Sequence, residues 1–161
     1  MKTEEIRIEY KLFDSVEELS ETDAYLVNAA REITAKAYAP YSNFLVGAVA
    51  LLSNGATVAG TNQENASYPV GICAERVLLS SASMLHTQVP IETMAVSYHN
   101  LKGESSTPVS PCGMCRQALN EYESRTSHPI RMILSGMEGK IIIIKSVSVL
   151  LPLSFGTNDM K

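Results

Sequence analysis

Three thiols in two short segments constrain this chain more than any other feature. Cys73 stands in "GICAERVLL", and Cys112 and Cys115 stand in "SPCGMCRQ". Each segment opens a stretch that reads as a helix, "CAERVLLSSASML" in the first case and "SPCGMCRQALNEYES" in the second. An odd, clustered set of cysteines does not suit a disulfide framework, so reduced thiols with a shared role are expected. Cys112 and Cys115, three positions apart, share one face of a helix. Unpaired backbone N–H groups at a helix N-terminus carry partial positive charge and favour thiolates. A fold that aims both helix entrances at one spot gathers three thiolates. Such a set suits zinc with its fourth tetrahedral position open for water.

Glu75 sharpens this reading. A carboxylate beside a metal-bound water, but not itself a ligand, is suited to moving protons. Three thiolates around zinc leave a net negative charge, and Arg76 is the nearest cation that could offset it. Its alternative is an ordinary surface salt bridge. Taken alone, the Cys112/Cys115 pair also fits a redox pair or half of a structural zinc site. His86, His99 and His128 share no ligand spacing and read as solvated side chains.

The rest of the chain supplies a scaffold. Residues 1–19 read as an N-terminal extension, with a possible edge strand in "IRIEYKLF". Ser20 and Asp23 resemble a capping box, and Leu26, Ala29, Ala30, Ile33 and Ala37 recur at helical spacing until Pro40. "LVGAVALL" and "ATVAGTN" flank "SNG" as a hairpin. In the next helix Val77, Leu78 and Ala82 are expected to face the sheet. "ETMAVSYHN", "IRMILSG" and "GKIIIIK" read as strands. The expectation is one α/β layered domain over residues 20–161, built on a five-stranded sheet whose order the sequence leaves open.

Composition excludes several functions. A formal net charge of -4 gives no electrostatic reason to bind nucleic acid. No apolar run approaches the roughly 20 residues of a membrane helix. "MKTEEIRIEYKLF" is charged and alternating rather than signal-like, so a cytoplasmic location is expected.

The pattern C-x-E with P-C-x-x-C is a zinc-deaminase motif with Cys in place of His as first ligand. "APYSNFLVGA", "TNQENASYPVGICAER", "SPCGMCRQ" and "LLPLSFG" together resemble, in order, the small cytidine deaminases that act on free nucleosides. The resemblance runs from about residue 24 to about residue 157. It implies a three-layer domain with a mixed sheet and helices on both faces, one Zn2+ per subunit, and a homotetramer. It implies zinc ligands at Cys73, Cys112 and Cys115, a proton shuttle at Glu75, and an Arg76 that hydrogen-bonds ligand sulfurs. Phe44 would pack on the pyrimidine, and Asn62 and Glu64 would hold the ribose hydroxyls. The Ala74 backbone would meet the base edge and the Ser110 carbonyl the departing amino group. Tyr68 and Phe155 would complete a neighbouring subunit's site. Gln63 departs from the family's usual aliphatic residue, and alternation turns it away from the sugar pair. The expected reaction is hydrolytic deamination of cytidine and deoxycytidine in pyrimidine salvage. Competing readings are a deaminase of a related compound such as blasticidin S, a polynucleotide editor, and a structural zinc module or inactive binding protein.

Overall fold

The computed structural model of the chain describes residues 1–160. Lys161, the last residue of the expected domain, lies outside the described residues. Six strands form one mixed sheet: β1 (Lys11–Phe13), β2 (Phe44–Leu52), β3 (Thr57–Thr61), β4 (Ile91–Asn100), β5 (Arg131–Gly136) and β6 (Ile141–Ile144). Three α-helices accompany them: α1 (Glu21–Ile33), α2 (Ala74–Leu85) and α3 (Gly113–Thr126). The strand order is β1-β6-β5-β4-β2-β3. Only β4 and β5 are parallel neighbours; the other neighbours are antiparallel.

The sheet therefore has six strands rather than the expected five. The sixth is β1, which lies within the segment whose alternation suggested an edge strand. It pairs Lys11–Phe13 with Ile141–Ile143 and covers the open edge of the isoleucine-rich β6. Three residues are too few for a period-2 pattern to separate a strand from an extended lead-in.

Strand alternation divides the core into two layers. Val49 of β2, Ala95 of β4 and Ile133 of β5 pack with Leu26, Val27 and Ala30 of α1. The intervening residues, Ala48, Ala50, Met94 and Met132 among them, pack with Leu78 and Ala82 of α2 and Leu119 and Tyr122 of α3. Helices thus cover both faces. The buried stripe of α2 includes Leu79, while Val77, expected inside, is only half-buried.

Helix α1 starts as expected but ends early. The Ser20 hydroxyl accepts the Asp23 amide at 3.2 Å. Both Asp23 carboxylate oxygens accept from the Arg131 guanidinium, at 2.6 and 2.7 Å, tying α1 to the start of β5. The α-helix stops at Ile33, before Ala37 and well before Pro40. The Thr34 hydroxyl donates to the Arg31 carbonyl at 2.7 Å, and a 3-10 turn over Thr34–Lys36 follows. A side chain that takes a helix carbonyl favours this tightening of the last turn.

Strand directions place the helix entrances. Because β2 is antiparallel to both β3 and β4, β3 and β4 run the same way. Helix α2 follows β3 and α3 follows β4, so both helices begin at the carboxyl end of those strands. The start of β2 lies there too, with Phe44 opposite Asn100. Gly60 of β3 lets α2 settle close: a Cβ there would lie 2.5 Å from both the Ala74 carbonyl oxygen and the Leu78 nitrogen.

Gly60→Ala should therefore cost about 1–3 kcal/mol of stability through overpacking, read as a lowered thermal midpoint. Asp23→Asn should cost roughly 1 kcal/mol near neutral pH. Arg131 holds the Asp23 carboxyl below its usual range. Its contribution is then fully present above the unfolded value of about 3.9 and is lost as pH falls through the lower folded value. The gap in midpoint between wild type and Asp23→Asn should close in strong acid, as thermal melts at several pH values would show.

Candidate active site

A cavity of about 650 Å³ opens at this end of the sheet, within the range of small-molecule sites. Phe44, Asn62, Glu64, Tyr68, Ala74 and Ser110 line it, as do Cys73, Glu75 and Cys112. Val46, Ile72, Val96, Val109 and Met114 provide apolar walls.

The thiols meet at the helix entrances. Cys73 is the N-cap of α2 and Cys112 the N-cap of α3, and neither side chain is spent on a capping hydrogen bond. Cys115 sits in the first turn of α3 and is buried. The Cys73 and Cys112 sulfurs are 3.9 Å apart, and those of Cys112 and Cys115 are 3.5 Å apart. All three sulfurs lie within 4.8 Å of one another. The neighbouring thiols, Cys115 first, pull the Cys73 pKa down to about 6, against burial and the nearby Glu75 charge. The same crowding pushes the Cys115 thiol well up.

Glu75 lies in the first turn of α2 with only 5% of its surface exposed. Burial raises its pKa, and hydrogen bonds from its own backbone amide and from Cys115 pull the other way. Its carboxylate is outside the three-sulfur cluster. Arg76 is turned differently from expectation. Among the described residues it makes no hydrogen bond to a sulfur and lines a shallow recess with Ser80, Ser83, Tyr122 and Arg125. Its charge still lowers the Cys73 pKa through space.

Asn62 and Glu64 reach the cavity and also brace its rim. Asn62 accepts the Val46 amide at 2.7 Å and donates to the Phe44 carbonyl at 2.9 Å. One Glu64 oxygen accepts the Tyr41 and Ser42 amides at 2.9 and 3.3 Å, and its pKa is lowered, chiefly by a hydrogen bond from Ser42. The Gln63 side-chain amide donates to the Thr61 hydroxyl at 2.9 Å. Phe155 is exposed, is absent from the cavity wall, and meets the body of the chain through its carbonyl, which accepts from Gln117 at 3.1 Å. The histidines are half-buried rather than solvated, and His128 pairs with Glu92 at 3.1 Å.

Three further contributors carried no pattern of their own. Tyr98 of β4 stacks on Phe44, with ring centroids 4.7 Å apart and an interplanar angle of 10°. Tyr41 meets Tyr68 edge to face at 5.9 Å on the cavity rim. Arg116 donates to the Pro111 carbonyl at 2.8 Å and the Leu150 carbonyl at 2.9 Å, bracing the segment that carries Cys112. "PCGMCRQ" contains this arginine, and its position one residue past a thiol was the available signal.

Three sulfurs, with no imidazole or carboxylate among them, form a soft donor set that suits zinc and leaves one tetrahedral position open. A buried acid beside such a centre, outside the donor set, is suited to moving protons, and the class of site defined here is one for metal-assisted hydrolysis. Comparison with known proteins narrows the class. Residues 20–128 match the family described as cytidine and deoxycytidylate deaminase zinc-binding region. A cytidine deaminase of Halalkalibacterium halodurans is 36% identical over 135 residues, covering 84% of this chain and 95% of that one. A cytidine deaminase of Mycobacterium tuberculosis is 35% identical over 134 residues, covering 81% and 87%. The solved cytidine deaminase of Burkholderia pseudomallei has a TM-score of 0.72 at 36% identity, covering 85% of this chain and 100% of that one. The chain belongs to the cytidine deaminase family.

Zinc joining α2 to α3 should also stabilise the fold. Cys112→Ala is expected to lower zinc content by roughly an order of magnitude and to lower the thermal midpoint. Elemental analysis of the purified variant checks the first outcome and a melt the second.

Proposed function

We propose that this protein hydrolyses the amino group of cytidine and deoxycytidine, giving uridine or deoxyuridine and ammonia. The observation that carries the reading is the buried Glu75 beside the three converging thiols, in the lining of a cavity large enough for a nucleoside. Cys73, Cys112 and Cys115 would hold one zinc ion per subunit. When bound there, zinc supplies Lewis acidity that makes a water molecule nucleophilic near neutral pH. Glu75 takes a proton from that water and delivers it to N3 of the cytosine ring as the water oxygen adds to C4. It then carries a second proton to the amino nitrogen, the C4–N4 bond breaks, and ammonia leaves. A carboxyl whose pKa is raised by burial is suited to holding a proton between these steps.

The remaining residues position the substrate. Phe44, held by its stack on Tyr98, would pack on the pyrimidine. The Ala74 backbone would contact the base edge and the Ser110 carbonyl would accept from the amino group. Asn62 and Glu64 would hold the ribose hydroxyls. The second Glu64 oxygen and one Asn62 N–H remain for this, since the bonds given above use the others. Arg76 would temper the charge of the thiolates from a distance. Tyr68 and Phe155, both exposed, would complete the site of an adjoining copy in a homotetramer. Residues 20–161 would form the catalytic domain and residues 1–19 an extension. Free nucleosides as substrates would place the protein in cytoplasmic pyrimidine salvage, with no nucleic-acid or membrane partner.

Glu75→Gln keeps the side-chain shape but cannot shuttle protons. Turnover of cytidine, followed by ultraviolet absorbance, should fall by about 10²–10⁴-fold while zinc content is retained. Near-normal turnover in that variant would exclude Glu75 from proton transfer. Wild-type protein active on blasticidin S but inert toward both cytidine and deoxycytidine would overturn the substrate assignment.

A further inference from the structure

The segment "EIRIEYK", residues 5–11, runs out past the sheet into solvent. Residues 1–12 are all exposed, and pairing with β6 begins only at Lys11. The family match begins at residue 20 and does not account for this arm. Alternate residues of an extended chain share a face. Ile6, Ile8, Tyr10 and Leu12, which are 60%, 44%, 59% and 53% exposed, therefore form an apolar stripe. Glu5, Arg7, Glu9 and Lys11 form the opposite, charged face. Arg7 and Glu9 approach to 3.7 Å within the chain, as two groups on one side of a strand can.

We propose that this arm pairs antiparallel with the same arm of a second copy, about a two-fold axis at Ile8. The order of charges favours this occupant and this register. With Ile8 facing the partner's Ile8, Arg7 faces the partner's Glu9 and Glu5 faces the partner's Lys11. On the other face Ile6 meets the partner's Tyr10. Across residues 5–11 each charge meets its opposite and each apolar residue an apolar one, while Leu12 lies beyond this stretch, opposite the partner's Glu4; such cross-strand pairs are the stabilising unit of a sheet. Moving the axis to Arg7 sets Arg7 against itself and Glu5 against Glu9. Moving it to Glu9 sets Glu9 against itself and Arg7 against Lys11. Moving it to Tyr10 still pairs Glu9 with Lys11 and Ile8 with Leu12, but it matches only residues 8–12 and sets Arg7 against Phe13, a shorter complementary stretch than the seven residues matched about Ile8. A shift by a single residue places charges opposite apolar side chains. Parallel, in-register pairing stacks every charge on its like. The outer edge of β1 is the end of the sheet and has no strand beyond it, so the paired arms would continue two sheets through one isologous contact.

Register-specific cross-linking of the zinc-loaded full chain tests this. Ile8→Cys places a thiol directly opposite its own copy, at a Cβ separation of about 4.5–5.5 Å. Ile6→Cys places the two thiols about 14 Å apart along the strands, four residues at about 3.4 Å each. Under mild oxidation Ile8→Cys should form a dimer linked through its position-8 thiols, identified by peptide mapping, at least about tenfold faster than Ile6→Cys links through position 6. Adding Arg7→Glu to Ile8→Cys should slow the reaction about fivefold or more, and further adding Glu9→Arg should restore it. Equal rates at positions 6 and 8, no link at position 8, or a link indifferent to Arg7→Glu overturns the proposal. Cytidine turnover, measured in parallel, should be unchanged in all these variants, because none touches the cavity; its absence in the wild type would count against the proposed activity and not against the arm.

Discussion

The site depends on two helix entrances being brought to one end of the sheet. That requirement is met by strand direction. The antiparallel hairpin β2–β3 gives β3 the same direction as β4, so the helices that follow them start on the same side. Once there, each N-terminus offers unpaired amides, and the thiols at the two N-caps lie where thiolate charge is most favoured. Ligands in α/β sheets gather at the carboxyl ends of strands for the same reason. Close approach matters as much as direction. Gly60 carries no side chain to hold α2 away from β3, and Arg116 fixes the lead-in to α3 from the other side.

The thiol cluster carries an intrinsic electrostatic tension that shapes its chemistry. Three sulfurs within 4.8 Å cannot all ionise without a compensating cation. In the chain alone the neighbouring thiols hold the Cys73 pKa down and push the Cys115 pKa up. Glu75 sits within this field and is pushed toward its neutral form, mostly by burial. A divalent cation would invert the local balance, making thiolates of all three and favouring the carboxylate. The helix N-termini and the distant Arg76 charge act in the same direction as the metal but more weakly.

The parts legible in the sequence were those with a period or a spacing. The thiol segments, the hairpin around "SNG" and the strands β4, β5 and β6 each carry such a signal, and each appears in the fold. What escaped depends on partners far along the chain. The pairing of β1 with β6 joins residues more than a hundred positions apart and involves three residues. The end of α1 is decided by the Thr34 hydroxyl rather than by Pro40, whose breaking effect was the stronger local cue. Asp23 fitted a capping box but meets Arg131, an interaction with no trace in local sequence. Tyr98 enters the site by stacking on Phe44, and a tyrosine in a buried strand looks the same whether it fills a core or backs a cavity. Asn62 and Glu64 took on meaning only through resemblance, since a turn asparagine and a surface acid have the same local sequence.

Those last two residues connect fold to proposed function most directly. Asn62 ties the end of β3 to the start of β2 through Phe44 and Val46, and Glu64 ties the loop after β3 to Tyr41 and Ser42. In the proposed complex Asn62, which would hold the sugar, also bonds Phe44, while Glu64 fixes Tyr41 and Ser42 just ahead of it. Sugar and base recognition would then be mechanically linked: a ribose that pulled on Asn62 would also pull on the strand carrying Phe44. Positioning to within a fraction of an ångström is what makes a proton transfer at N3 efficient. A substituent on the sugar, remote from C4, would thus be felt at the reacting atom through two hydrogen bonds and one aromatic stack, with no other moving part.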